Sequence, residues 1–497
     1  MALAWLAISS LFYYGWSSTI FLVIFIFSFV VNACCVRALG IFDGRNRRWA
    51  LMAIGIAFNL LMIGYFKYKD FFISSWSGGP GPEFALYKAA LPIGISFYTF
   101  QQIAYIVDAY RRVVTGHSFI KHLLFISFFP QLIAGPIVHH KEMMPQFERT
   151  AARRRLLDLA LGISIFSVGL FKKTVIADGV SAWADPAFAQ AASGGILNFA
   201  DAWIGALAYS FQLYFDFSAY SDMALGLGRM FGIVLPLNFN SPYKAASIIE
   251  FWHRWHITLS RFLRDYLYFP LGGNRRGKTR RYVNVMAVMI LGGLWHGAAW
   301  SFVLWGALHG LFLMINHGWR ALLAMFGLSA VAHNPVYRVT AIAVTFVSVV
   351  SAWVPFRATD LASAASILKS MYALHGGPVI PSLWQKLIAL RNGIAGYFDI
   401  LNVAINHRTS PVSRFENDVS YDMALAVLFY CAVIVFFLPN TYELFRQYRP
   451  ALTEGDIPRS GGGAFRLSPA WAAALAAVLL ASVLQLPRVS PFLYFQF

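Results

Sequence analysis

One ionisable side chain, His296, stands in an otherwise apolar run from Val285 to Leu308, within Leu291-Gly-Gly-Leu-Trp-His-Gly-Ala-Ala-Trp300. A charged group at bilayer depth costs about 2.5 kcal/mol or more, so a histidine in such a run is a functional-site candidate. An imidazole there can serve as a general base. It can equally be a neutral core histidine bonded to a neighbouring helix. Gly292, Gly293 and Gly297 permit close backbone approach around it, and Trp295 and Trp300 supply walls.

A second group of polar residues precedes it. The stretch Ala246–Tyr268 contains Phe251-Trp-His-Arg-Trp-His256, with Phe251, Trp255, Leu259, Phe262 and Tyr266 at three-to-four spacing. That period predicts one amphipathic helix, too polar to span, with Ser247 and Glu250 as a capping box. His253 and His256 would share a face of it. No third metal ligand stands at a diagnostic spacing, and no metal site is expected. Phosphate-loop, dinucleotide and Gly-x-Ser-x-Gly signatures are absent from the sequence. Four further polar sets interrupt apolar stretches: Gln101 closing Leu91–Gln101, Gln131 in Pro130–Pro136, Asp216, Ser218 and Asp222 in Tyr214–Asp222, and Asn240 in Asn238–Tyr243. Each can line an enclosed polar cavity or merely pair with a neighbour.

The elements that position these residues are membrane helices. Hydrophobic residues make up 58% of the 497 and charged ones 12%, about half the share in soluble proteins. Apolar runs at 19–36, 49–68, 119–134, 155–171, 197–215, 282–298, 300–317, 337–354, 421–438 and 471–486 approach the ~20 residues of a bilayer crossing. They predict an all-α polytopic protein of roughly 10–12 spans. A segment near 91–110 or 119–139 is expected to re-enter rather than cross. The net charge of +18 sits in short-loop clusters: Arg37 with Arg45, Arg47 and Arg48, Arg149 with Arg153–Arg155, and Arg275 through Arg281. Such clusters orient helices and meet anionic lipid, so nucleic acid is not implied. Cys34, Cys35 and Cys431 lie in apolar stretches and read as packing residues. Met1–Tyr14 is apolar without a basic start, and reads as a retained membrane segment. No soluble domain and no internal repeat is evident. We divide a single membrane domain, 1–497, into N-terminal helices (1–90), a catalytic core (91–320), C-terminal helices (321–486) and a tail (487–497).

The Trp-His-Gly run, Phe251-Trp-His-Arg-Trp-His-Ile-Thr-Leu-Ser260, Phe215-Asp-Phe-Ser-Ala-Tyr-Ser-Asp222 and Trp353-Val-Pro-Phe-Arg357 together resemble the membrane-bound O-acyltransferase family. The likeness is to its bacterial branch, typified by alginate O-acetyltransferase and the teichoic-acid D-alanylation membrane protein. It runs along the whole chain. Relatives usually carry one more apolar helix at the N-terminal end, a departure confined to the outer scaffold. The resemblance implies a ring of helices around a thin centre, with a tunnel leading the acyl donor from the cytoplasm to the family's hallmark histidine, here His296. It makes His256 the second functional position, with Trp295, Gly297, Trp255, Asp216, Ser218, Asp222, Asn240, Gln101 and Gln131 as lining candidates. The ending Pro491-Phe-Leu-Tyr-Phe-Gln-Phe497 resembles a terminal motif of this branch whose tyrosine is proposed to carry the acyl group. That assigns Tyr494 as an acyl-carrier candidate, where composition alone would read an aromatic belt.

The expected activity is therefore O-acetylation at a bacterial inner membrane. Acetyl-CoA is the donor substrate, without a resident cofactor, docking against Arg275, Arg276, Lys278, Arg280 and Arg281. A periplasmic acetyltransferase of the SGNH type completes transfer to an exported polysaccharide, alginate-like, cellulose or another exopolysaccharide. A phenol ionises near 10 and an imidazole near 6.5, so proton removal must be concerted with attack. Direct acylation of a lipid or protein hydroxyl, and transport of acyl groups or polymer without chemistry, are the alternatives.

Overall fold

The computed structural model describes residues 2–77, 90–114, 118–133, 135–148, 155–374, 418–453, 465–488, 490 and 492–493. Tyr494, Arg149, Arg153, Arg154 and the polar stretches 375–417 and 454–464 lie outside the described residues. The chain is an all-α polytopic membrane protein. Its first helices are α1 (Ala2–Ser17), α2 (Thr19–Ile41), α3 (Arg45–Ile63) and α4 (Lys69–Ser77), the last two joined by a π-turn over Gly64–Tyr68. Next come α5 (Ile95–Tyr110), the short α6 (Phe119–Ser127), α7 (Phe129–Leu132) and α8 (His140–Glu148), then α9 (Arg155–Phe171), continued by a second π-turn over Lys172–Ala177 into α10 (Asp178–Ala192). The centre is α11 (Phe199–Met230), α12 (Ile248–Arg254), α13 (Ile257–Leu263), α14 (Lys278–His296) and α15 (Trp300–Met325). After it come α16 (Pro335–Arg357), α17 (Leu361–Met371), α18 (Asp418–Phe437), α19 (Thr441–Leu444) and α20 (Pro469–Gln485). Side chains of Ser18, Ser118, Asn198, Asp360 and Ser468 accept from backbone N–H groups in the first turns that follow them, which is why helices begin at those points.

By length and apolar composition, four helices can cross a membrane: Thr19–Ile41, Arg45–Trp76, Leu156–Ala192 and Pro335–Arg357, with Tyr421–Phe437 and Pro469–Gln485 as shorter apolar helices. The run 119–134 is no single span. It breaks at Phe128 into helices of 9 and 4 residues; Phe119 and Ile120 are exposed, while His122 and the residues from Leu124 to Phe128 are buried. The 32-residue α11 is the buried axis of the bundle; it packs on α9 and α10. Its Asp222 pairs with Lys172 at 2.8 Å and accepts from Thr441 at 2.6 Å.

Arg48, grouped by sequence with a surface-orienting cluster, is buried. Its guanidinium donates to the carbonyls of Leu39, Ala109 (3.0 Å) and Tyr110 (2.8 Å), tying the C-terminal ends of α2 and α5 together. Arg37, Arg45 and Arg47 remain exposed. The cysteines are unbridged, with Cys431 buried and Cys34 exposed.

Candidate active site

The stretch 246–268 is not one helix. Two short helices, α12 and α13, meet at Trp255 and His256, and His256 holds φ 43°, ψ 53°, a left-handed conformation costing about 1 kcal/mol or more outside glycine. The loop after α11 sustains the break. Ile257 N–H donates to the Asn238 carbonyl at 3.0 Å, and Asn240 N–H donates to the Arg254 carbonyl at 2.9 Å, replacing helical partners. The capping pair is present in altered form: Ser247 caps Glu250 N–H, while the Glu250 carboxylate reaches back to Ala246 N–H. The consequence is that His253 and His256 part company. His253 faces outward and His256 is fully buried.

The Asn238 side chain then fixes the His256 ring. Its Oδ1 accepts from Thr258 Oγ1 at 2.8 Å and lies 3.0 Å from His256 Nδ1. An oxygen already accepting from a hydroxyl requires Nδ1 to carry the proton, so the acceptor role falls to Nε2. Asn238 Nδ2 is itself held by Ser221 Oγ at 3.1 Å.

His296 is the last residue of α14 and is buried against Trp305, Phe356 and Trp295, with ring centroids 5.1, 5.2 and 5.0 Å away. The close crossing of α14 and α15 depends on Gly293, where a Cβ would collide with the Phe302 carbonyl oxygen; at Gly297 one would enter the Phe302 ring. Two side chains from the first π-turn hold the end of α14. Lys67 Nζ donates to the carbonyls of Trp295 (2.6 Å) and His296 (2.9 Å), and Tyr68 Oη donates to that of Leu294 (2.7 Å). A basic side chain at a helix C-terminus satisfies its last carbonyls and complements its dipole.

The two rings come together. His256 and His296 have centroids 6.4 Å apart, too wide for a ring-to-ring hydrogen bond but close enough to address one substrate oxygen. A cavity of about 240 Å³ is lined by His296, Trp295, Lys67, Ser96 and the 91–97 turn. A larger one of about 580 Å³ is lined by residues flanking His256, namely Trp252, His253, Ile257 and Ser260, and by Asn240, Arg261, Arg264, Arg281 and His317. Ligand pockets commonly span roughly 300–1,000 Å³. One is basic; the other holds the histidine.

The profile of the membrane-bound O-acyltransferase family matches residues 95–359, more than half of the chain and inclusive of both histidines. The chain belongs to that family. It is similar to a peptidoglycan O-acetyltransferase of Helicobacter pylori, 38% identical over 89% of this chain and 84% of the relative. It is similar to a probable alginate O-acetylase of Pseudomonas aeruginosa, 38% identical over 99% of this chain and 94% of the relative. A teichoic acid D-alanyltransferase of Streptococcus thermophilus is 32% identical over 46% of this chain and 57% of the relative. The protein is accordingly an O-acyltransferase.

In this O-acyltransferase the other sequence candidates are spread unevenly. Trp295 stacks on Phe100 at 5.1 Å and its ring lies 6.2 Å from that of His256, in the site itself. Trp255 sits at the helix break against Trp353, with centroids 4.9 Å apart. Asp216 is an ion-pair partner of Lys173 at 2.8 Å, and Ser218 is buried on the same helix. Gln101 is buried on α5, while Gln131 spends its amide on the Phe125 carbonyl at 2.9 Å. Of the basic loop, Arg275, Arg276, Lys278 and Arg280 are exposed and line neither cavity; Arg281 lines the larger one, bonded to the His317 ring at 3.0 Å. Arg261, paired with Glu142 at 2.6 Å, joins it there.

Three residues escaped the sequence reading. Lys67 stands in a polar cluster at the end of an apolar run. Asn238 opens the Asn238–Tyr243 motif, two positions before Asn240. His309, fully buried on α15, lies against Trp305 and Trp252 with centroids 4.9 and 5.2 Å away. Among the described residues neither ring nitrogen of His309, nor the indole N–H of Trp252 or Trp305, has a protein partner. Buried polar atoms are as a rule satisfied by protein or water, so this nest suits a water or a polar group of a substrate.

Proposed function

We propose that this chain transfers an acetyl group from cytoplasmic acetyl-CoA, across a bacterial inner membrane, to Tyr494 and thence to a periplasmic acetyltransferase that modifies an exported polysaccharide. The observation that carries this reading is the pair of buried histidines, 6.4 Å apart, with His296 on the wall of a small cavity and residues flanking His256 on the wall of a larger basic one. Relatives named for acetylating peptidoglycan and alginate support acetyl as the group moved and a polysaccharide as its destination.

In this reading the donor's phosphates meet Arg281, Arg261 and Arg264, and the thioester lies toward His296. His296 takes the proton of the acceptor hydroxyl as its oxygen attacks the thioester carbonyl. The new C–O bond forms, the C–S bond breaks, and the departing thiolate recovers the proton from the imidazolium. His256, with Nδ1 donating to Asn238, offers only an acceptor at Nε2; the single hydroxyl proton goes to His296, so His256 orients the attacking oxygen through a bridging water that donates to Nε2. Burial by Trp295, Trp305 and Phe356 excludes water, which would otherwise hydrolyse the thioester.

The test is mass spectrometry of the C-terminal peptide after purified protein meets labelled acetyl-CoA. The expected result is label on Tyr494, lost in His296→Ala and absent in Tyr494→Phe. Arg281→Glu should raise the KM for acetyl-CoA by about tenfold, a modest charge-reversal effect at a partly solvated site. Donor consumed while Tyr494 stays bare would replace the relay with direct acylation. A native protein that consumes no acetyl-CoA, with or without a polysaccharide-acetylating partner, would overturn the donor assignment.

A further inference from the structure

The second π-turn and α11 enclose a buried charge cluster that the transfer chemistry does not use. Lys173 Nζ lies 2.8 Å from Asp178 Oδ1 and 2.8 Å from Asp216 Oδ1, and all three side chains are at most 10% exposed. One amine between two carboxylates leaves an excess negative charge inside the bundle. Such charge persists only where additional donors reach it. Those donors come from the other end of the chain. Ser490 Oγ donates to Asp178 Oδ1 at 2.6 Å, Ser490 N–H approaches Asp178 Oδ2 at 3.4 Å, and Leu493 N–H donates to Asp216 Oδ2 at 3.0 Å. Lys173 Nζ also reaches Ser490 Oγ at 3.2 Å.

Between these anchors Phe492 is buried, stacked on Tyr220 at 4.8 Å and packed against Phe217 at 6.1 Å. Phe217 in turn stands edge-on to the His256 ring at 4.7 Å. Tail, charge cluster and catalytic layer thus form one contact chain. Tyr494 directly follows Leu493 in the sequence.

We infer that Lys173, Asp178 and Asp216 are positioning residues: a clamp that seats the C-terminal tail, through Ser490 and Leu493, beside the histidine pair. The purpose of seating it there rests on the relay through Tyr494 proposed above. The seating itself does not. The tail contributes only neutral donors, a hydroxyl and backbone N–H groups, to charges that stay within the bundle. It can therefore leave without carrying a charge out, while the excess carboxylate favours its return.

Two measurements separate the clamp from the relay. Leu493→Cys, at a position that is 3% exposed with the tail seated, in a chain with Cys34, Cys35 and Cys431 replaced by serine, gives the rate of maleimide capture of the tail. Ser490→Ala removes one tail contact and should accelerate capture about three- to tenfold, the range set by one modest hydrogen bond. Asp178→Ala removes the acceptor of both Ser490 groups and should accelerate it further, with Asp178→Asn restoring it in part. Capture rates within twofold of the parent in Ser490→Ala and in folded Asp178→Ala would overturn the clamp. The second measurement is the rate of label transfer to Tyr494, which Ser490→Ala should slow with the KM for acetyl-CoA unchanged. A rise in KM to match would mark a general structural defect and count against positioning. If native Tyr494 never takes label, the relay fails, and the clamp stands or falls on maleimide capture alone.

Discussion

Lys67→Met tests whether the end of helix α14, and with it His296, is held in place by a side chain from the π-turn Gly64–Tyr68. Methionine keeps the unbranched apolar stem and removes the donors. Two buried carbonyls, those of Trp295 and His296, then lose partners at 2.6 and 2.9 Å. Each unsatisfied carbonyl costs about 1–3 kcal/mol, so the native geometry of the last turn is disfavoured by roughly 2–6 kcal/mol in total. Tyr68 still holds the Leu294 carbonyl at 2.7 Å, which confines the damage to the residues beyond it. The turn can recover part of the cost by rotating those carbonyls toward water or other donors, and that rotation moves the His296 ring. A displacement of about 1 Å at a reacting group costs on the order of 10²-fold in rate.

The expected result is therefore a fall in kcat of about 10²-fold with the KM for the thioester donor changed little, since Lys67 lines the smaller cavity and not the basic one. Thiol release followed with a chromogenic reagent, on protein in lipid nanodiscs, gives both constants, and a thermal unfolding curve shows whether the bundle is intact. Lys67→Arg keeps donors at nearly the same reach and should recover a substantial part of the rate. A Lys67→Met protein that folds and keeps kcat within twofold of the parent would refute the argument. If Lys67→Arg is as inactive as Lys67→Met, anchoring is the wrong account and the amine itself takes part in the chemistry.

Two further perturbations probe the other supports of the site. Asn238→Ala removes the acceptor for His256 Nδ1 and should lower kcat at least about tenfold, part of the 10²–10⁴-fold that a positioned acid–base group supplies, whereas Asn238→Asp, which still accepts, should keep most of it; equal activity in both would remove Asn238 from the mechanism. Gly293→Ala places a methyl against the Phe302 carbonyl and should destabilise the protein by about 1–3 kcal/mol, while at Gly292 the nearest atom is the flexible end of Leu263 at 3.3 Å and Ala should be tolerated; similar melting temperatures for the two variants would contradict the packing argument.

What could be read from the chain and what could not divides along a physical line. A histidine within an apolar run is visible because transfer energies alone make it anomalous, and so His296 stands out without knowledge of its partners. The membrane class follows from the same energies summed over apolar runs. His256 was visible as a residue and not as a conformation. The three-to-four spacing of Phe251, Trp255, Leu259, Phe262 and Tyr266 fits a continuous helix, and the left-handed turn at His256 is imposed by bonds from Asn238 and Asn240, which precede it by 18 and 16 residues. Periodicity measures what a segment prefers alone. It has no access to a clasp supplied by another segment.

The same reason hides the π-turns. The described residues contain three, at Gly64–Tyr68, Lys172–Ala177 and Arg264–Tyr268, and each carries polar side chains to a particular partner or cavity wall. The first sends Lys67 and Tyr68 to the end of α14, and the second sends adjacent Lys172 and Lys173 to two carboxylates six residues apart on α11. The third sets Tyr268 and Arg264 on the wall of the basic cavity. A π-turn adds one residue to a helix and shifts every later side chain around the axis, so a pattern counted at 3.6 residues assigns those residues to the wrong face. Such turns are energetically poor on their own and occur mostly at functional sites. In a bundle where burying an unpaired lysine is costly, the shift is retained because it lets Lys67, Lys172 and Lys173 each find partners, and the partners are the end of the histidine-bearing helix and the carboxylates of the central one.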